Sequence, residues 1–165
     1  MSDLLGSAVL SDDRVYRYSL SRWWSWSLAT QPLIVIGLNP STADESVDDP
    51  TIRRCVGFAR REGLSSLLML NLFAYRATDP KNLKAASGPI GLQADATLRH
   101  HCEGHRVVAA WGTHGGYMNR DRAVLDLLAD VGAEVMCFGT TKDGFPKHPL
   151  YLKSDTPLVQ YGGRA

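Results

Sequence analysis

Asn39 and His148 are the residues of this sequence whose type and setting best suit chemistry. Asn39 lies in Gly37-Leu38-Asn39-Pro40-Ser41-Thr42. Glycine there permits close backbone approach, and proline stiffens the turn that aims the amide. An amide can orient a water or bond the edge of a ligand, but it is no strong base. The same six residues also suit a plain Asn-Pro turn capped by Ser41 and Thr42. His148, followed by Pro149, can donate to a developing anion or carry a proton, or simply meet solvent. The turn Gly112-Thr113-His114-Gly115-Gly116 leads into a helix, where backbone N–H groups favour anions. It matches neither the Walker loop nor GxGxxG. Arg53, Arg54, Arg60 and Arg61 span about 120° of one helix, a basic face suited to phosphate or to water. The carboxylates nearest the Asn-Pro turn by sequence are Asp44 and Asp48.

These residues need elements to hold them. Four short apolar runs, 33–37, 67–72, 106–111 and 134–138, read as buried strands. Gly63, Gly104 and Gly132 each follow a helical pattern and precede one of them, as a glycine closing a helix does. The order helix, glycine, strand is that of a parallel sheet with crossover helices. Helices are expected over 49–63, 91–103 and 116–131, and a shorter one within 79–87. The first carries Ile52, Cys55, Val56 and Ala59 on one stripe, with Asp49 as cap and Pro50 in its first turn. Residues 14–20 alternate and predict an antiparallel edge strand, followed by Trp23, Trp24 and Trp26. In open parallel sheets ligands bind beyond the carboxyl ends of strands. That rule sends the segments after 37, 72, 111 and 138 to one edge. Asn39, Phe73, Thr113 and His148 are therefore expected around one cleft, with Tyr75, Arg76 and Lys142 close by.

The chain has 165 residues, 44% hydrophobic and 21% charged. One domain is expected over 1–165: an N-terminal strand and tryptophan segment at 14–30, an α/β core at 31–153, and a tail at 154–165. A domain of this size buries roughly 70% of its unfolded surface and needs no staple. The three cysteines are scattered, with no CxxC pair, so a cysteine zinc site or iron–sulfur cluster is excluded. His101 and His105 stand one helical turn apart without a third ligand, so no metal is expected. No cofactor is expected either. There is no apolar run of about 18 residues to cross a membrane, and no secretory leader is expected. A reducing, cytoplasmic setting is the expectation. A net charge of +1 excludes a strongly polycationic protein and leaves room for a local basic face.

Five segments together resemble the bacterial and phage family known as domain of unknown function 1643. They are 16–23, 37–63 with its Asn-Pro-Ser-Thr-Ala-Asp and Asp-Asp-Pro-Thr-Ile-Arg-Arg runs, 71–80, 108–115, and 141–152 with Lys147-His148-Pro149-Leu150-Tyr151. More distantly, Gly37-Leu38-Asn39-Pro40-Ser41 resembles the first motif of the uracil-DNA glycosylase superfamily, especially its mismatch-specific branch. His148-Pro149 is similar to the start of the second motif. Asn71, Leu72 and Phe73 correspond in place to the segment lining the base pocket.

That resemblance implies a three-layer α/β/α sandwich with a short, mainly parallel central sheet, here with an extra N-terminal strand. It implies cleavage of the N-glycosidic bond of a modified or mispaired base flipped out of DNA. Asn39 would orient the water and His148 would stabilise the departing base. Gly37, Leu38, Pro40, Ser41, Asn71, Phe73, Tyr75, Thr113 and His114 would line the ligand site. Arg53, Arg54, Arg76 and Lys142 would hold phosphate. The same residues also suit a non-catalytic nucleobase, nucleotide or DNA-binding module, or a small-molecule enzyme using the Gly112 turn for phosphate.

Overall fold

The computed structural model describes residues 4–25 and 31–165. Trp26 and the rest of 26–30 lie outside the described residues. Seven strands form one sheet: β1 (Leu5–Leu10), β2 (Arg17–Trp23), β3 (Leu33–Gly37), β4 (Ser66–Asn71), β5 (Arg106–Ala109), β6 (Glu134–Cys137) and β7 (Val159–Gln160). Their order is β1-β2-β4-β3-β5-β6-β7. The four central strands β4, β3, β5 and β6 run parallel. β1, β2 and β7 add on antiparallel. The sheet is thus mixed rather than mainly parallel, with three antiparallel pairings beside three parallel ones among the described residues. The antiparallel additions cover both edges of the parallel core.

The helices are α1 (Pro50–Arg61), α2 (Pro80–Ala85), α3 (Ala94–Cys102) and α4 (Arg120–Asp130). Strand residues alternate between two cores, as the pleat requires. Leu33, Val35, Leu67, Met69 and Val108 meet α1 through Ile52, Cys55, Val56, Phe58 and Ala59. Ile34, Ile36, Leu68, Leu70 and Val107 meet Leu83, Leu98, Cys102, Val124 and Leu128 from the other three helices. Helices therefore cover both faces of the sheet. Each central strand is buried on both sides, which is why it reads as continuous apolar sequence.

Some expectations shift. The N-terminal strand runs 17–23 instead of 14–20, and it lies inside the sheet, between β1 and β4. β1, absent from the sequence reading, supplies the edge. The helix expected over 116–131 is a 3₁₀ stretch, Thr113–Asn119, then α4. Met118 and Asn119 break the two with positive φ of 56° and 51°. The tail contributes β7, and beyond it Tyr161 packs edge-on against Trp111 at 6.1 Å.

Candidate functional site

Order in the parallel core reverses at β3, whose neighbours are β4 on one side and β5 on the other. Crossovers leave such a point in opposite directions and open a crevice at the carboxyl ends. A cavity of about 40 Å³ lies there, lined by Gly37, Asn39, Asn71, Ala110 and His148, together with Arg17 and Asp49. Its size suits a water or a few atoms of a ligand rather than a whole ring. Leu38, Pro40 and Ser41 line it too.

Parallel pairing continues past the strands and builds the Asn-Pro turn. Leu72 N–H donates to Gly37 O, Phe73 N–H to Leu38 O and Ala77 N–H to Pro40 O, at 2.9–3.0 Å. The Asn39 amide nitrogen donates to the carbonyls of Pro40 (3.0 Å), Tyr75 (3.4 Å) and Ala77 (2.7 Å). Both amide protons are thus spent on backbone, and only the amide oxygen is left to face a ligand. Asn39 ties the turn down as well as pointing into the cavity. Ser41 and Thr78 share a hydroxyl hydrogen bond of 2.9 Å.

His148 reaches the same cavity from the far end of the chain. Residues 139–147 fold as a tight loop, with a bridge between Thr140 and Pro146 and Lys147 N–H donating to Gly139 O at 3.0 Å. Gly112 buttresses it: its N–H donates to Pro146 O at 2.9 Å, and a Cβ there would sit 3.7 Å from the Cβ of His148. Gly112 has φ 69° and ψ −168°, a conformation that needs glycine. His148 Nδ1 accepts from Leu150 N–H at 3.2 Å, capping a 3₁₀ turn over Pro149–Tyr151. A neutral ring with Nδ1 accepting carries its proton on Nε2. Burial lowers the His148 pKa below its usual value, and the nearby Asp49 charge opposes this.

Asp49 is the carboxylate at the site. It caps α1 by accepting Ile52 N–H at 2.9 Å, and Pro50 occupies the first turn. Asp44 and Asp48, the nearest by sequence, are engaged elsewhere. Asp44 Oδ1 accepts the N–H groups of Ser46 and Val47, and Asp48 pairs with buried Arg22 at 2.7 Å. The sequence marked Asp49 only as a cap; that the cap opens a helix beside the switch point is the signal for its second role.

The remaining expected residues divide. Phe73 is 0% exposed and packs in the core, its ring 5.8 Å from Tyr117, so it presents no free face. Tyr75 is partly buried against Tyr16. Thr113 and His114 are exposed and lie outside the cavity lining. Arg76 is a clamp, donating to the carbonyls of Ser41, Arg14 and Thr42. On α1, Arg54 lies over Phe58 at 5.4 Å and Arg60 over Trp24 at 4.8 Å. Arg61 lies over Phe58 and donates to Ser154 O and Thr156 O. Arg53 and Lys142 are exposed and accessible to phosphate, although Arg53 Nη1 also reaches Asp48 O at 3.5 Å. Sequence reasoning missed Arg17, which β2 carries into the cavity. Among the described residues, no three His, Cys, Asp or Glu side chains gather as a metal site would need, and no helix is long and apolar enough to cross a membrane.

The fold and the cavity define an α/β protein with a polar crevice at the switch point of its parallel strands. Residues 17–150 match the family described as a protein of unknown function, DUF1643, and the chain belongs to that family. No curated protein and no solved structure matches it.

Proposed function

We propose that the chain hydrolyses the N-glycosidic bond of a modified or mispaired base in DNA. The observation that carries this reading is the meeting of Asn39, Asp49 and His148 at one cavity, although His148 is far from the other two in sequence. The Asn39 oxygen and the Asp49 carboxylate are acceptors suited to a water, and the cavity has room for one. Water aligned there would attack the sugar carbon as the bond to the base breaks and positive charge develops, its proton passing to the Asp49 carboxylate. The neutral His148 offers an Nε2–H donor to the base as it departs with negative charge. The exposed ring of Tyr151, 6.3 Å from that of His148, offers a stacking surface at the mouth for a flipped base. Arg53 and Lys142 would meet the DNA backbone. The resemblance of Gly37–Ser41 and His148-Pro149 to glycosylase motifs supports the same reading.

A second reading is a binding module for a nucleobase, nucleotide or DNA. It is favoured by the engagement of both Asn39 amide protons with backbone, which makes the turn rigid and leaves the amide one acceptor. A base-release assay on single- and double-stranded DNA carrying modified and mispaired bases, with abasic sites detected, decides between the two. Asp49→Asn and His148→Ala should each lower release by about 10²–10³-fold while the fold is kept. Binding without release from any substrate would leave the binding module. Full release by both folded variants would remove the assigned roles.

A further inference from the structure

Three arginines of the described residues are almost fully buried: Arg17, Arg22 and Arg120. A buried guanidinium is costly unless a partner compensates it. Two of the three are compensated. Arg22 pairs with Asp48 at 2.7 Å and donates to the carbonyls of Ser21, Asp44 and Val47. Arg120 pairs with Asp95 at 2.6 Å and donates to Leu72 O. Arg17 differs. It is 2% exposed, its Nη1 donates to Ala43 O at 3.0 Å, and its Nε has no partner. Among the described residues no carboxylate forms an ion pair with it; Asp49, which lines the same cavity and caps α1, acts on it only through space.

A second orphan donor faces the same space. Asn71, 6% exposed, ends β4, and its Nδ2 is buried with no partner. Gly37 is its register partner on β3, and a Cβ on Gly37 would come 3.0 Å from Asn71 Oδ1. The missing side chain keeps Asn71 in place. Both Arg17 and Asn71 line the cavity, and both are more deeply buried than Asn39 and His148. Its floor thus holds a positive charge and two buried nitrogens without acceptors, Arg17 Nε and Asn71 Nδ2, with the Asp49 carboxylate elsewhere in the lining.

We propose that Arg17 and Asn71 form an anion subsite on the cavity floor, which takes a carboxylate- or phosphate-type oxygen. An oxyanion would accept from Arg17 Nε and Asn71 Nδ2 in charge-assisted hydrogen bonds, and it would supply the counter-charge that Asp48 and Asp95 supply to the other two arginines. The small volume admits the oxygen-bearing end of a ligand and leaves its body at the mouth. Burial also lowers the Arg17 pKa to about 10, a shift that a bound anion would reverse. This subsite stands on residues to which the proposed base release assigns no role, so either can fail alone.

The test is a titration of the whole chain with sodium formate, with inorganic phosphate, and with neutral formamide, at constant ionic strength. The Arg17 Nε–H and Asn71 side-chain amide resonances are followed by ¹H–¹⁵N NMR. Formate should shift both saturably, and formamide should shift neither. Phosphate binding tighter than formate would assign the source to a phosphate oxygen, and the reverse order to a carboxylate. Asn71→Asp should fold, because it gives Arg17 a carboxylate of its own, and should weaken formate binding at least tenfold. Asn71→Leu should weaken it without supplying a charge. Unmoved Arg17 and Asn71 resonances with both anions, equal shifts with formamide, or undiminished binding in the folded Asn71 variants would overturn the proposal. Base release by a chain whose resonances ignore both anions would overturn it as well, leaving the proposed hydrolysis intact.

Discussion

The imidazole of His148 is held by the backbone of Leu150, whose N–H donates to Nδ1 at 3.2 Å. That one bond sets the tautomer: the remaining proton is on Nε2. Protonating Nδ1 would break the bond and place a cation in a partly buried site.

A pH dependence follows from it. Burial lowers the folded-state pKa of His148 below its ordinary 6.5, so between the two values the unfolded chain binds more protons than the folded one. Stability should therefore be full above about pH 6.5 and fall as pH drops toward the lowered value. Urea unfolding at a series of pH values should show this slope, and His148→Gln should flatten it. An unchanged slope in the variant would assign it to other groups.

Asn39→Asp should be worse for stability than Asn39→Ala. The alanine loses the bonds to Pro40, Tyr75 and Ala77, at a cost of about 1–3 kcal/mol. The aspartate adds repulsion between its carboxylate and the same carbonyls. Thermal unfolding of both variants reads the order; a more stable aspartate variant would mean that the turn is held by something other than the amide.

Gly37→Ala should cost about 1–3 kcal/mol by overpacking. Its methyl group would meet Asn71 Oδ1 at 3.0 Å and Met69 Cε at 3.1 Å. Chemical denaturation measures the loss, and a neutral result would show that Asn71 can move aside freely.

The basic residues should separate into two kinds. If the chain binds DNA, Arg53→Gln and Lys142→Gln should each lower the log–log salt slope by about 1. Arg76→Gln should instead reduce stability, because its guanidinium joins the carbonyls of Arg14, Ser41 and Thr42. Binding titrations at several salt concentrations, paired with unfolding curves, distinguish the kinds. A salt slope altered by Arg76→Gln alone would reverse these assignments.

Much of the frame is written plainly in the chain. Leu33–Gly37 and Ser66–Asn71 are continuous apolar runs because both their faces are covered, and the capped stripe of α1 is local information. Strand-end reasoning joined Asn39 to His148 because it needs only the order of elements. β1 escaped notice because Gly6, Ser7 and Ala8 carry little apolar surface; what makes them a strand is pairing with β2. Gly6 itself is required by a distant residue, since a Cβ there would strike the Arg22 guanidinium. Phe73 follows a strand end as a ligand-binding aromatic would, yet it turns into the core beside Tyr117. Arg17 occupies a polar position in an alternating strand, which ordinarily means solvent. Its burial depends on β2 lying between β1 and β4, a fact of the assembled sheet.

The placement of Arg17 makes the antiparallel hairpin of β1 and β2 a structural partner of the crevice. Its backbone N–H meets Ala74 O at 2.9 Å just past β4, and its Nη1 meets Ala43 O at 3.0 Å, so the strand and the guanidinium are tied to the crevice by the same residue. Anything that engages the guanidinium from the crevice holds the hairpin down, and anything that peels the hairpin away removes the positive charge from the crevice floor. The two equilibria share a single coupling free energy, equal in both directions. The first strands of the chain are thereby a lever on a site made mainly by strands that follow them.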